Sequence, residues 1–217
     1  MKNQLPIIAA ILEISSVVPY MVDMLRGKTR PNIVSWASWG VLAYIDALAL
    51  YSEHSNQAAT LALSSAIAFT AVIMLGIRFG FAKFGKFDIA CIVGAIIACI
   101  LWILFKSAKV GLFASITVDL VVTAPTVYHS WHRFREETLI AYQLGVTSGV
   151  LLLLSLGRFT FIGVVYPLLL IVTDGAVVIG ILRGRLRYQT TRNKAAIKAA
   201  RTRRRNARRK PLRVVSA

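Results

Sequence analysis

Two stretches decide how this chain is read: Glu13-Ile14-Ser15-Ser16-Val17-Val18-Pro19-Tyr20-Met21-Val22-Asp23 and, 106 residues later, Asp119-Leu120-Val121-Val122-Thr123-Ala124-Pro125-Thr126-Val127-Tyr128-His129. Each places an acid and, six residues on, a proline within an apolar run. The same offset carries Ser35 onto Ala141 and Trp36 onto Tyr142. In each copy the polar residues return at helical spacing: Glu13, Ser16, Tyr20 and Asp23 in the first, Asp119, Thr123, Thr126 and His129 in the second. Two units built to one plan are expected.

The solvent of these units follows from composition. The chain has 217 residues, 57% of them hydrophobic and 16% charged, with a mean hydropathy of +0.66. That is too apolar for a soluble domain of this size. Runs close to the ~20 residues that cross a hydrocarbon core fall at 5–25, 33–51, 58–77, 89–105, 110–128, 138–156 and 159–182. Because a bilayer cannot satisfy free backbone groups, such runs are helices. The fold expected is an all-α membrane protein with seven transmembrane helices, arranged as two three-helix-bundle repeats in a 3+1+3 order. The first repeat covers 1–80, a linker helix 81–109, the second repeat 110–186, and a basic, disordered tail 187–217.

Lys and Arg mark the cytoplasmic ends of spans. Arg26, Lys28 and Arg30 follow the first run, Arg78, Lys83 and Lys86 the third, and Arg133 and Arg135 the fifth. The opposite ends carry only Lys2, Lys106, Lys109 and Arg158. This asymmetry puts the protein in the cell membrane as a multi-pass chain, with the N-terminus outside and the C-terminus cytoplasmic. The first run carries Glu13 and lacks a small-residue cleavage site, so it reads as a span and not as a leader.

The net charge of +17 belongs almost wholly to the tail. Residues 183–217 hold 14 Lys and Arg and no acid, leaving 12 basic and 9 acidic side chains in the rest. Arg203, Arg204, Arg205, Arg208, Arg209 and Lys210 form its densest part. Anionic lipid at the cytoplasmic leaflet is the expected partner, at about 1 kcal/mol per basic residue near the surface. Nucleic acid is the weaker reading, because the run has no interleaved aromatic on which bases would stack.

Four acids lie inside apolar runs: Glu13, Asp46, Asp119 and Asp174. A charged carboxylate at a bilayer centre costs roughly 2.5–3.5 kcal/mol, and no Lys or Arg lies within any run to neutralise one. The acids are therefore protonated, hydrated in a cavity or paired with a cation from outside. Ser64, Ser65 and Thr173 supply further polar groups at similar depth. A transport pathway through Glu13, Ser16, Tyr20, Asp46, Asp119, Thr123, Thr126 and Asp174 is expected, flanked by the aromatic pair Trp36 and Tyr142. Pro19 and Pro125 each remove one helical hydrogen bond, which makes them matched hinges.

Other chemistry has no support in the sequence. Cys91 and Cys99, eight apart on one helical face, read as packing residues. His54, His129 and His132 have no second ligand at metal spacing. No phosphate loop or nucleophile elbow occurs, so neither an enzyme nor a cofactor or metal is expected.

The string Pro19-Tyr20, Gly27-Lys28-Thr29-Arg30-Pro31-Asn32 and Ser35-Trp36 resembles the PQ-loop and SWEET superfamily of small-solute transporters, with uncharacterised bacterial seven-span members the most similar in pattern. The resemblance covers residues 5 to about 185. It implies two triple-helix bundles rocking about a central pocket, with the linker span as scaffold. The chain departs from the family pattern in lacking the glutamine after either proline, in having no proline in the sixth run, and in placing Asp174 and serines where the sugar carriers have asparagines. The function expected is alternating-access transport of a small polar solute, with proton coupling as an option. The contending expectation is a non-transporting scaffold or receptor whose tail recruits lipid or a cytoplasmic partner. A homo-oligomer is compatible with either.

Overall fold

Apolar runs that cannot expose backbone to lipid close their hydrogen bonds within themselves, and all seven do so here. The computed structural model describes residues 4–29, 33–79, 86–105 and 107–208. Its helices are α1 (Leu5–Leu25), α2 (Ile33–Ser52), α3 (Asn56–Phe79), α4 (Lys86–Phe105), α5 (Ala108–His132), α6 (Leu139–Ser155) and α7 (Phe161–Arg208), with a 3-10 turn at Phe134–Glu136. Five of them, α1, α2, α3, α5 and α7, are long and apolar enough to cross a membrane. With 17 residues, α6 spans about 26 Å at 1.5 Å per residue. The chain is a helical membrane protein.

Side-chain placement inverts that of a soluble helix. On α1, Ile7, Ile11, Ile14, Val18 and Leu25 are exposed, a stripe that suits lipid. Glu13, Ser16 and Tyr20 occupy the opposite, buried face. Helix ends use local chemistry. After α1, Gly27 adopts φ +68°, and the Gly27 and Lys28 amides donate to the carbonyls of Met24 and Asp23 at 2.9 Å each. This is the Schellman closure that a glycine at the first position beyond the helix permits.

Helix α1 packs on α3 and α6, while α5 packs on α7 and α2; α2 also meets α3, α6 meets α7, and α4 lies against α5 and α2. Small residues let these helices approach, as expected where lipid offers no hydrophobic drive to associate. On α6, a Cβ added at Gly149 would lie 2.8 Å from the Pro167 carbonyl oxygen, and one at Gly145 would collide with the Asp174 carboxylate. On α7, a Cβ at Gly184 would lie 2.6 Å from the Trp131 carbonyl oxygen. Among the described residues, two larger apolar clusters and two smaller ones fill the interior. One of the larger pair, at the end bearing Ser55, joins Ala9, Leu50, Leu61, Leu112, Leu152 and Tyr166. The other, toward the end bearing Lys28, joins Val17, Tyr20, Trp36, Trp39, Val72 and Val122.

The tail begins as helix. Helix α7 runs on without interruption to Arg208, so residues 187–208 continue the last span as helix, and 209–217 lie outside the described residues. The reason is compositional: no Gly or Pro falls between Gly184 and Arg208, and Ala, Arg and Lys are among the best helix formers. A ring contact anchors its start, with the Arg135 guanidinium 4.4 Å above Tyr188 and Phe134 5.9 Å from the same ring. Arg203, Arg204, Arg205 and Arg208 sit on the last turns of α7, whereas Arg209 and Lys210 lie outside the described residues.

Gly184→Leu is expected to destabilise the fold by about 1–3 kcal/mol through overpacking, read as a lower unfolding temperature in detergent. Gly157→Ala, where an added Cβ meets nothing within 4 Å, should leave it unchanged.

Candidate functional site

Glu13 is 2% exposed, and its two carboxyl oxygens are held from different helices. Ser65 Oγ of α3 donates to Oε1 at 2.8 Å, and Ser148 Oγ of α6 donates to Oε2 at 2.6 Å. Ser16 Oγ donates to the Glu13 carbonyl at 2.6 Å, which spares that serine from pairing elsewhere. A carboxylate accepting two hydroxyls in a space this apolar keeps two of its roughly four lone-pair positions filled. The remaining ones are available to whatever occupies the space beside it.

That space is a cavity of about 640 Å³, counting its open mouth. Glu13, Ser16, Trp36, Asp119, Thr123, Tyr142 and Asp174 all line it, so seven residues separated in sequence by up to 161 positions meet at one place. Thr123 Oγ1 donates to Asp119 Oδ1 at 3.2 Å. Asp174 rests against Gly145, and among the described residues no hydrogen bond or ion pair to its carboxylate is found. Among the described residues, no Lys, Arg or His belongs to the lining.

A second chamber, of about 470 Å³, shares Trp36, Trp39 and Tyr142 with the first and extends toward the Lys28 end. Tyr20, Thr126 and Pro125 line it, with His129 and Glu137. Its polar groups form a connected set. Tyr142 donates to Glu137 Oε2 at 2.9 Å, His129 Nδ1 lies 2.9 Å from Glu137 Oε1, and His129 Nε2 lies 3.2 Å from Glu136. Nearby, Thr138 Oγ1 donates to Asp23 Oδ2 at 3.0 Å and sits 3.2 Å from Thr29 Oγ1, tying the end of α1 to the start of α6. At the other end, Glu53, His54, Ser55, Arg158 and Thr160 border a vestibule of about 680 Å³. Between that vestibule and the central cavity lies the apolar cluster containing Leu50, Leu61, Leu152 and Leu169.

No family model matches the chain, and neither a curated protein nor a solved structure does.

Asp46 departs from its expected place. It does not line the cavity; it is 0% exposed, and neither of its carboxyl oxygens has a hydrogen-bond partner. The neighbouring Ser115 hydroxyl donates instead to the Leu42 carbonyl at 3.4 Å. The cause is depth: Ala43 is the last α2 residue in the lining, and Asp46, almost one turn on, falls among the apolar residues that close the Ser55 end. Sequence reasoning also passed over Ser148, Phe69 and Tyr166, and gave Trp39 only an anchoring role at the membrane interface. Ser148 had a detectable signal, lying between Gly145 and Gly149 on an otherwise apolar helix. The matched acids are not equivalent either. At the 106-residue offset the hydroxyl donors Ser65 and Ser148 correspond to Ile171 and Leu42, so Asp119 has no such serine pair; Thr123 of its own helix donates to it, with the Trp39 side chain of α2 beside it.

Ser148→Ala and Ser65→Ala each remove a donor from a buried carboxylate and are expected to cost about 1–3 kcal/mol. Thermal unfolding of the detergent-solubilised variants checks this. In a Glu13→Ala background the effect of either serine change should shrink, because the unsatisfied acceptor is gone.

Proposed function

We propose that the protein is a transporter of a small polar solute that works by alternating access around the Glu13 cavity. The observation that carries this is a buried, acid-lined space formed jointly by α1, α2, α3, α5, α6 and α7. The packing pattern supports a 3+1+3 architecture: exchanging α1, α2 and α3 for α5, α6 and α7 maps α1 on α6 onto α5 on α2, and α1 on α3 onto α5 on α7. Helix α4 stands outside that exchange, as a linker would. Secondary transporters built from related halves bind their solute at the interface between them, where this cavity sits. The likeness of residues 5–185 to the PQ-loop and SWEET superfamily points the same way.

The two ends support distinct gates. Toward the Lys28 end the second chamber leads away from the cavity through hydroxyl and carboxylate contacts that exchange readily with water. Toward the Ser55 end an apolar layer seals it. On the orientation proposed from the loop charges, this is a state closed to the outside. Pro19 and Pro125 lie inside continuous helices beside this path and are proposed as its flex points. Arg183, Arg185 and Arg187 are exposed on the first turns beyond the apolar part of α7, where anionic lipid would meet them.

Two experiments test the proposal. In proteoliposomes screened with small polar solutes, with and without a pH gradient, Glu13→Gln and Asp119→Asn should insert normally, since amides remove the cost of a buried charge. Their uptake should fall by about tenfold or more, ~1.4 kcal/mol of lost interaction. Uptake at the wild-type rate, with an unshifted pH profile in both variants, would remove the acids from the mechanism. For orientation, a Ser55→Cys variant lacking Cys91 and Cys99 should react with an impermeant thiol reagent on intact cells, while Thr190→Cys in that background should not. The reverse pattern would invert the topology.

A further inference from the structure

The central cavity has two walls of different chemistry, and together they restrict what it can hold. One wall is acidic. Glu13, Asp119 and Asp174 reach it from α1, α5 and α7, and among the described residues no basic side chain joins the lining. Asp174 is the free member, since Glu13 is clamped by two serines and Asp119 takes Thr123.

The other wall is aromatic. Trp36, Trp39 and Phe69 line the same space and form a cluster in which Trp36 meets Trp39 edge to face, at 5.5 Å and 87°, and Phe69 at 5.4 Å and 75°. Rings fixed by such mutual packing cannot turn away from an occupant. Aromatic faces attract cations, indole most strongly, and more so where water is excluded.

We propose that the solute is an organic cation: an ammonium group bearing apolar substituents and no carboxylate of its own. Its charge sits at Asp174, and its methyl or methylene groups rest against Trp36 and Trp39. The inference builds on the transporter reading and names the substrate class of that site. Each competing class leaves something unsatisfied. A neutral sugar would fill hydrogen-bond positions yet bring no counter-charge to Asp174, the acid of the wall with no donor of its own among the described residues. A zwitterionic amino acid would bring a second carboxylate into a wall with no cation to receive it. A metal ion needs a shell of close ligands, and among the described residues no group of three or more His, Cys, Asp or Glu is placed to hold one. An ammonium ion with an apolar body uses both walls at once.

The test is direct binding to the full-length protein in detergent, followed by calorimetry and by tryptophan fluorescence in a variant with Trp102 and Trp131 replaced by Phe. The probes are choline, tetraethylammonium and phenethylammonium, with 3,3-dimethylbutan-1-ol as the uncharged shape-match of choline, glycine betaine as the zwitterion and glucose as the neutral polyol. At least one ammonium probe should bind, and for choline the uncharged match and the betaine should bind about tenfold or more weakly, as the loss of a charge-assisted contact implies. Asp174→Asn should weaken ammonium binding by a similar factor with the unfolding temperature retained. Trp36→Phe should keep binding and Trp36→Leu lose it, which separates a π contact from simple packing.

The inference is overturned if none of the three ammonium probes binds, or if the uncharged match, betaine or glucose binds as tightly as the cations. Uptake measured in parallel separates this failure from that of the transporter reading. Saturable uptake of a neutral or zwitterionic solute keeps the transporter and rejects the cation. Ammonium binding without any uptake keeps the site and rejects the transporter.

Discussion

The structure depends on how one carboxylate is accommodated in a lipid-soluble body. Glu13 receives hydroxyl hydrogens from Ser65 on α3 and Ser148 on α6, and these bonds hold α1 between the two helices it packs on. An isolated buried carboxylate would cost several kcal/mol. Two strong acceptor contacts recover much of that and at the same time fix where the polar stripe of α1 must face. Once that stripe is turned inward, Ser16 and Tyr20 follow it, the aliphatic stripe of Ile7, Ile11 and Ile14 is left for lipid, and the cavity opens beside the acid.

The surrounding packing is built to let that arrangement persist. Gly145 and Gly149 allow α7 to lie almost against α6, so close that the Asp174 carboxylate occupies the space a side chain at Gly145 would fill. The same glycines therefore position an acid on the cavity wall as well as a helix. Toward the Lys28 end the contacts between α1 and the start of α6 are polar, through Asp23, Thr29 and Thr138. Toward the Ser55 end they are aliphatic. Water can replace the first set at little cost, whereas separating the second would expose apolar surface.

How much of this was legible in the sequence depends on the range of the interaction concerned. The seven helices follow from apolar run length alone, because lipid leaves the backbone no other choice. The polar stripes of α1 and α5 were legible because helical periodicity is local, and the 106-residue offset tied them together. Partners across helices were not. Ser148 is one serine among several until α6 lies against α1, and Asp46 sits at an ordinary polar position until the packing places it a turn too deep to reach the cavity. In the tail, charge suggested disorder, while the Ala, Arg and Lys that carry it favour a helix and α7 supplies the nucleus that an isolated segment would lack.

The proposed repeat differs between its two copies where it matters chemically. Substituting Ile171 and Leu42 for the two serines at the positions corresponding to Ser65 and Ser148 makes Glu13 a clamped acid and Asp119 a less constrained one. The proposed two-fold plan thus carries a one-sided site. Whether the two ends of that plan exchange access to the cavity can be measured from paired spin-label distances, one pair at Ser55 and Arg158 and the other at Lys28 and Arg135, in lipid nanodiscs under acidic and neutral buffer. The account predicts two populations whose distances change in opposite senses, one end widening as the other closes. A single fixed distance at both ends, or both changing in the same sense, would contradict it.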